Sequence, residues 1–355
     1  MSDVEKVNIR DEDVIQAIKN TLNHENFQIL SQIRGNVQLT VTVLDKLNNR
    51  ETDLNFTVKY LPDTKETFVY RKFQEFADQY IEIIGQCTAK CLVVHKNEYL
   101  ILENLYNNDY SQANKQGILN YEQMFAVIQA LARLHSCSLI FEEKFGEHSS
   151  IIDDHQDVFS NLHSNFYLSN ILIQIKSLNF PETPTSDKTL LEITEQLHPI
   201  VLQLGKPSRI YKNVLSHGDL RASNLILTKN NSGLECKLIN FESFKYAPPS
   251  HDVLLAIYLN TSNDFRHQYL YQLLGIYYNN LEKILKIYNY DLEIILPFND
   301  FLDSCEEQKL YAAFVATGAL LTSEVKNGDV TILQSNIKEF KNECYKFQLS
   351  HICPF

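Results

Sequence analysis

Three side chains in the stretch Val214–Leu227, VLSHGDLRASNLIL, have types and spacing that could do chemistry together: His217, Asp219 and Asn224, arranged as H-x-D-x4-N. This is the spacing of a phosphotransferase catalytic loop. The Asp219 carboxylate can orient a hydroxyl and accept its proton as that hydroxyl receives a phosphoryl group. The Asn224 amide, one turn later, can reach back to a metal ion on nucleotide phosphates. His217 is expected to support the loop by hydrogen bonding rather than to transfer protons. Sixteen residues beyond Asn224, in KLINFES, this chemistry expects the main metal-binding Asp, and the chain carries Asn240 instead. An amide retains an oxygen and loses the charge. A unit charge pair at ~4 Å is worth about 4 kcal/mol at an effective dielectric of ~20. With each ~1.4 kcal/mol worth tenfold in rate, that loss slows transfer roughly a thousandfold. Glu242, two residues on and on the same side if the strand continues, is a candidate substitute ligand.

Elements that would position these groups are legible on both sides of the loop. Val14, Ile15, Ile18 and Leu22 recur at helical spacing, predicting an N-terminal helix within residues 9–25. NVQLTVTVLD and TDLNFTVKYLP, rich in β-branched residues and joined by KLNNRE, read as a hairpin. A helix is expected from Thr67 to Ile84, and CLVVHKNEYLILENL reads as a second strand pair turning at Lys96-Asn97. Beyond residue 104 the pattern is mainly helical. Asn120 and Gln123 form a capping-box signature, and further helices are expected over His163–Leu178, Leu190–Leu204 and most of the C-terminal third. LILT and ECKLIN form a hairpin around KNNSGL. Asp252, before VLLAIYL, is expected to be a helix N-cap, and His135 a satisfied core histidine. The reading is therefore α+β: a small β-rich lobe over residues 1–103 and a larger helical lobe with the catalytic-loop hairpin over 104–355.

Composition narrows the partners. A formal charge of −12 over 355 residues argues against nucleic acid, since phosphate-backbone binding needs a basic face. The charged N-terminus lacks an apolar run, so no signal peptide is expected. No uninterrupted apolar stretch approaches the ~18 residues of a membrane span. Seven cysteines without a metal or disulfide spacing fit a reduced, cytoplasmic protein.

Several blocks in the correct order carry a family resemblance. HGDLRASNLIL followed by KLINFESFKYAPPSHDVLLAIYLNTS resembles the ecdysteroid kinase-like family, a branch of the choline kinase/aminoglycoside phosphotransferase superfamily whose members read HGDLW-x-x-N, then LIDFQ. YLILENL with ALARLHSCSL resembles the family's LVLEDL and LARFHAASL, and FTVKYLP resembles its ATP-contacting strand. The resemblance implies a bilobal protein-kinase-like fold that holds ATP and Mg2+ between its lobes. It also implies phosphorylation of a small-molecule hydroxyl, on ecdysteroids, related sterols or xenobiotic alcohols.

Carried over residue by residue, the resemblance makes Lys59 the lysine on the α- and β-phosphates. Its acidic partner is expected at Glu75, with an alternative alignment placing Arg71 there. Glu103 and Leu105 would offer backbone groups to adenine. Gly35 is the sole glycine in a phosphate loop that relatives build from more, and Arg221 stands where they have tryptophan. Acceptor-lining residues are expected around Phe159–Lys176 and Phe265–Tyr290. The metal would fall to Asn224, Asn240 and Glu242. Two functions follow: an ATP-dependent small-molecule kinase slowed by Asn240, or a pseudokinase that keeps the cleft as a binding or regulatory module for a protein partner. KLINFESFKYAPPSHD leaves no room for the activation segment of a protein kinase.

Overall fold

The structure, a computed structural model, describes residues 8–62, 64–80, 86–96, 98–105, 110–112, 118–146, 190–230, 233–322, 335–344 and 346. The helix expected over 163–178 and the acceptor-lining stretch 159–176 lie outside the described residues.

The first lobe is a five-stranded antiparallel sheet in the order β1-β2-β3-β5-β4. Its strands are β1 (Phe27–Arg34), β2 (Gln38–Asp45), β3 (Arg50–Tyr60), β4 (Cys91–His95) and β5 (Tyr99–Glu103). The expected hairpin is β2–β3, and β1 precedes it. Alternation along β2 buries Leu39, Val41 and Val43 beneath α1 (Asp11–Leu22), which contributes Val14, Ala17 and Ile18 to the same cluster. The same period of two in β3 buries Phe56 and Val58 and sends Lys59 to the opposite face.

The helix expected over 67–84 starts a turn earlier and is interrupted. It runs as α2 (Thr64–Phe68), a π turn (Val69–Phe73) and α3 (Gln74–Tyr80). The widened turn lets Phe68, Tyr70 and Phe73 all pack against the segment after the catalytic loop. Tyr70 meets Phe241 edge-on at 5.8 Å, and Phe73 lies 6.2 Å from Phe244. These contacts couple the small lobe to the main apolar core.

That core centres on α4 (Tyr121–Phe145). Its start is set by the predicted capping box: Gln123 N–H donates to Asn120 Oδ1 at 2.9 Å, and Asn120 N–H to Gln123 Oε1 at 3.0 Å. Among the described residues α4 alone is long and apolar enough to cross a membrane, but 78% of its apolar window is buried inside the protein, as in a core helix. Around it lie α5 (Leu190–Leu204), α6 (Pro249–Asn260), α7 (Asn263–Ile287), α8 (Leu292–Ile295) and α9 (Phe298–Thr322). Between them run β6 (Tyr110–Gln112), β7 (Val214–Ser216), the β8–β9 hairpin (Leu225–Asn230 and Gly233–Leu238), whose β8 also pairs with β6, and β10 (Lys245–Ala247), which pairs with β7.

Asp252 is not an N-cap. It lies inside α6, fully buried, and its carboxylate faces the catalytic loop. His217 N–H donates to Asp252 Oδ2 at 2.6 Å and Gly218 N–H to Oδ1 at 3.0 Å; His135 Nε2 lies 3.1 Å from Oδ2. Burial alone would raise the Asp252 pKa, but the bond from His135 and the surrounding histidines overcome it and hold the carboxyl well below its usual range. His135 is thus a core histidine that also aims the anchor, and its Nδ1 lies 2.7 Å from the Tyr277 hydroxyl. Gly218 adopts φ +80°, and a Cβ there would come within 2.2 Å of the Ser243 carbonyl, so the loop has room for glycine only. The loop's far side is tied by Asn260, whose Nδ2 donates to Leu220 O at 2.6 Å.

Asp252→Ala should strip the acceptor from two loop amides and His135 at once. The expected loss is about 3–5 kcal/mol of stability, the cost of breaking a buried charged network from one side. It would be read as a lowered urea midpoint at unchanged m-value, with Asp252→Asn losing less.

Candidate active site

A cavity of about 530 Å³ opens between the lobes, within the usual range for a small-ligand site. Its walls at one end are apolar, formed by Val37, Leu102, Leu105, Ile226 and Ile239. Lys59, Glu66, Asn224 and Asn240 make the other end polar. A lining that combines apolar walls with charged and amide groups offers contacts for both an aromatic base and a phosphate tail.

Lys59 is the hub of the polar end. Its Nζ donates to Asn240 Oδ1 at 2.8 Å and to Glu242 Oε1 at 2.9 Å, and it forms a close ion pair with Glu66. Burial works to lower the Lys59 pKa, but the two carboxylates prevail and raise it, so the ammonium stays charged. Glu66 is almost wholly buried. Burial pushes its pKa up, opposed by Lys59 and by the Phe241 amide. On balance burial prevails at Glu66 and its pKa stays above the ordinary carboxylate value, while the Lys59 ammonium is held charged by the carboxylates around it.

The expected partner, Glu75, is not there. It lies two turns further on, exposed in α3, beside a separate polar cavity shared with Arg71 and Asp78. Arg71 is not the partner either; its guanidinium donates to Lys96 O at 2.9 Å. Placing the helix start at Thr67 excluded Glu66 by one residue, whereas the helix opens at Thr64 and turns Glu66 inward. Gly35 closes the β1–β2 turn, its N–H donating to Gln38 O at 2.7 Å, and Val37 of the same turn lines the cavity.

The catalytic loop delivers its three groups as spaced. His217 is buried and burial lowers its pKa, so the ring is neutral at pH 7. Its ring packs at a tilt against Phe241, with centroids 4.7 Å apart. Nδ1 accepts from Asp219 N–H at 3.3 Å, which leaves Nε2 to donate to Ile239 O at 3.0 Å. His217 thus splints the loop to the strand that ends at Asn240. Asn224 Nδ2 donates to Asp219 O at 2.9 Å, and Asn240 Nδ2 faces Asn224 Oδ1 at 3.4 Å. Asn240 has φ +69°, a left-handed conformation that Asn tolerates well. This turn drives Phe241 into the core and leaves residues 240 and 242 both facing Lys59.

Asp219 is paired in a way the spacing did not reveal. Arg221 grips both carboxylate oxygens, Nε to Oδ1 at 2.8 Å and Nη2 to Oδ2 at 2.6 Å. Burial would raise the Asp219 pKa, but this fork lowers it below the ordinary value. Arg221 itself is half exposed, so the fork can open towards solvent. At the other end of the cavity, Glu103 accepts from Lys90 N–H at 3.0 Å and pairs with Lys237 at 3.5 Å, fixing the connector, and Leu105 lines the wall.

The sequence profile of the ecdysteroid kinase-like family matches residues 36–290. No curated protein sequence matches the chain. Among solved structures, a choline kinase from Cryptosporidium parvum is similar with a TM-score of 0.50 at 14% identity, covering 97% of this chain and 98% of its own. An ethanolamine kinase from Plasmodium vivax is similar with a TM-score of 0.44 at 13% identity, covering 98% of this chain and 93% of its own. A choline kinase from Streptococcus pneumoniae gives 0.42 at 14%, with 93% and 98% covered. At such identities the likeness shows the fold, which is α+β, bilobal and protein-kinase-like.

The fork on Asp219 has a pH signature. Because its folded pKa is depressed, Asp219 adds stability above its unfolded pKa and loses it as pH falls through the folded one. In Arg221→Ala the side-chain fork that chiefly offsets burial is lost, so the pKa rises and the ionised carboxylate is less well supported at neutral pH. The stability gap between wild type and Arg221→Ala should be widest near pH 7 and shrink as pH falls from the variant's raised pKa, through the ordinary carboxylate value of about 4, to the depressed wild-type one. Urea titrations across that range measure it, and a pH-independent gap would show that Arg221 acts through packing alone.

Proposed function

We propose, on the premise that this chain belongs to the ecdysteroid kinase-like family of the choline kinase/aminoglycoside phosphotransferase superfamily, that it transfers the γ-phosphoryl group of ATP to a hydroxyl of a small molecule. The observation that carries this is the assembled polar end of the cleft. Lys59, fixed by buried Glu66, stands across from Asn224 and the catalytic loop, in reach of a phosphate tail whose base fills the apolar slot. Asp219 orients the acceptor hydroxyl and takes its proton once Arg221 releases an oxygen; its depressed pKa keeps it ionised for that purpose. His217 holds the loop and moves no proton, since both its ring nitrogens are occupied.

Asn224, Asn240 and Glu242 are the residues we assign to hold a magnesium ion arriving with the nucleotide: they offer two amide oxygens and one carboxylate, which now accept from Asn240 Nδ2 and from Lys59 and would be shared with the ion. When bound, the ion neutralises charge on the phosphates. Acceptors of the family's kind, ecdysteroids, sterols and xenobiotic alcohols, are the class we assign. Seven scattered cysteines without a disulfide spacing support a reducing, cytoplasmic setting.

One observation favours a second reading. Asn240 puts an uncharged amide at the family's metal-Asp position, and a cleft that binds nucleotide without transferring phosphate would serve as a pseudokinase module. Labelled γ-phosphate transfer to a panel of ecdysteroids, sterols and small alcohols separates the two. Asp219→Ala should lower transfer by about 10²–10⁴-fold. Equal background in both proteins would leave the binding module as the function.

A further inference from the structure

We propose that Arg221 selects the acceptor: the hydroxyl compound taken by this cleft also carries an anion, a carboxylate or a sulfate or phosphate ester, that draws the guanidinium away from Asp219. The inference rests on the transfer reaction proposed above and narrows its acceptor class to acidic alcohols.

Arg221 covers the base from its solvent side. Its side chain is 53% exposed, that of Asp219 only 16%. Ser223 and Asn224 line the cavity assigned to the nucleotide, and Arg221 is not among the described residues that do. A compound that approaches Asp219 from solvent therefore meets the guanidinium first.

The fork also holds the base in its weaker state. Nε and Nη2 occupy both carboxylate oxygens, at 2.8 and 2.6 Å. Their bonds are the main influence opposing burial on Asp219, and they favour the form that has no proton. As the acceptor oxygen bonds the γ-phosphorus of ATP and ADP departs with the bridging oxygen, the hydroxyl proton passes to Asp219. That uptake improves once the guanidinium has left. Departure into water forfeits two charge-assisted bonds, and a neutral alcohol supplies no substitute. An oxyanion on the acceptor does, because it matches the same bidentate donor. Two bonds to Asp219 break, two to the substrate form, and the acceptor hydroxyl takes the place vacated on the carboxylate.

A second cation lies behind the loop. Lys245 is 5% exposed, and its Cε sits where a Cβ on Gly218 would meet it at 3.1 Å. Its Nζ is 5.5 Å from the centre of the Tyr311 ring and makes no ion pair among the described residues. Burial lowers its pKa to about 8, with Asp252 opposing, so it is mostly charged at neutral pH. Asp219 thus keeps cationic support when the fork opens, and an anion held by Arg221 lies in a field that favours it.

Matched acceptors on a steroid and on a short aliphatic scaffold test this. Each scaffold carries one hydroxyl plus a carboxylate, the neutral amide of that acid, or a sulfate or phosphate ester in its place, and kcat/KM is compared within each set. The wild type should favour at least one anionic form over the amide by about tenfold or more, and the preferred form identifies the anion. In Arg221→Gln the ratio should fall close to one without a change in the KM for ATP, while Arg221→Lys, which keeps the charge without the fork, should retain part of it. No preference in the wild type, a preference that survives Arg221→Gln, or an effect confined to the KM for ATP overturns the assignment. The last of these would put the guanidinium on the nucleotide instead. Should no compound be phosphorylated, the transfer reaction fails by itself and calorimetric binding of the same compounds decides the inference. An anionic form bound about tenfold more tightly than the amide by the wild type, but not by Arg221→Gln, supports it, and equal affinities overturn it.

Discussion

The buried carboxylate of Asp252 is the charge around which the catalytic half of the molecule is organised. It accepts from the backbone amides of His217 and Gly218, the two residues that set the direction of the loop, and from the side chain of His135 in the central helix. A loop with left-handed glycine at its apex has few intrinsic preferences to hold it. A charge-assisted acceptor in a dry interior is worth far more there than in water. The reciprocal cost is that the carboxylate would be intolerable without these donors, so loop, helix α4 and helix α6 are obliged to assemble together.

From that anchor the geometry propagates outward in short steps. His217, neutral and doubly bonded, ties the loop to the carbonyl of Ile239. The next residue, Asn240, turns left-handed and throws Phe241 into the core, where Tyr70 and the π turn of the small lobe pack on it. The same helix presents Glu66 to Lys59. Closure of the two lobes and alignment of the lysine are therefore consequences of one aromatic contact region, with electrostatics refining what packing places.

Legibility in the sequence followed the range of the interaction. The H-x-D-x4-N loop, the capping box of α4, and the β2–β3 and β8–β9 hairpins depend on neighbours within a few residues, and each stands as read. Glu66 was missed because a helix start is a local guess good to a few residues, and one residue decided which carboxylate faced inward. Asp252 read as an N-cap because an Asp before an apolar run usually is one; its true partners lie 34, 35 and 117 positions away. The Arg221 fork on Asp219 spans two residues, yet its sequence signal is only the replacement of a tryptophan. Nothing in that replacement says whether the guanidinium faces the base or solvent.

What the sequence by itself determined is the family, the bilobal fold, the H-x-D-x4-N side chains and the presence of an amide at position 240 where the family motif has a carboxylate. These rest on residue types at fixed short spacings, which the backbone geometry of strands and turns converts directly into position. Only the tertiary structure decided which carboxylates share the Lys59 ammonium, which residue anchors the loop, and that positions 240 and 242 address the same point. Those facts depend on the packing of Phe241 beneath the small lobe and on the balance of burial against pairing for each charge. Neither quantity exists until distant segments meet.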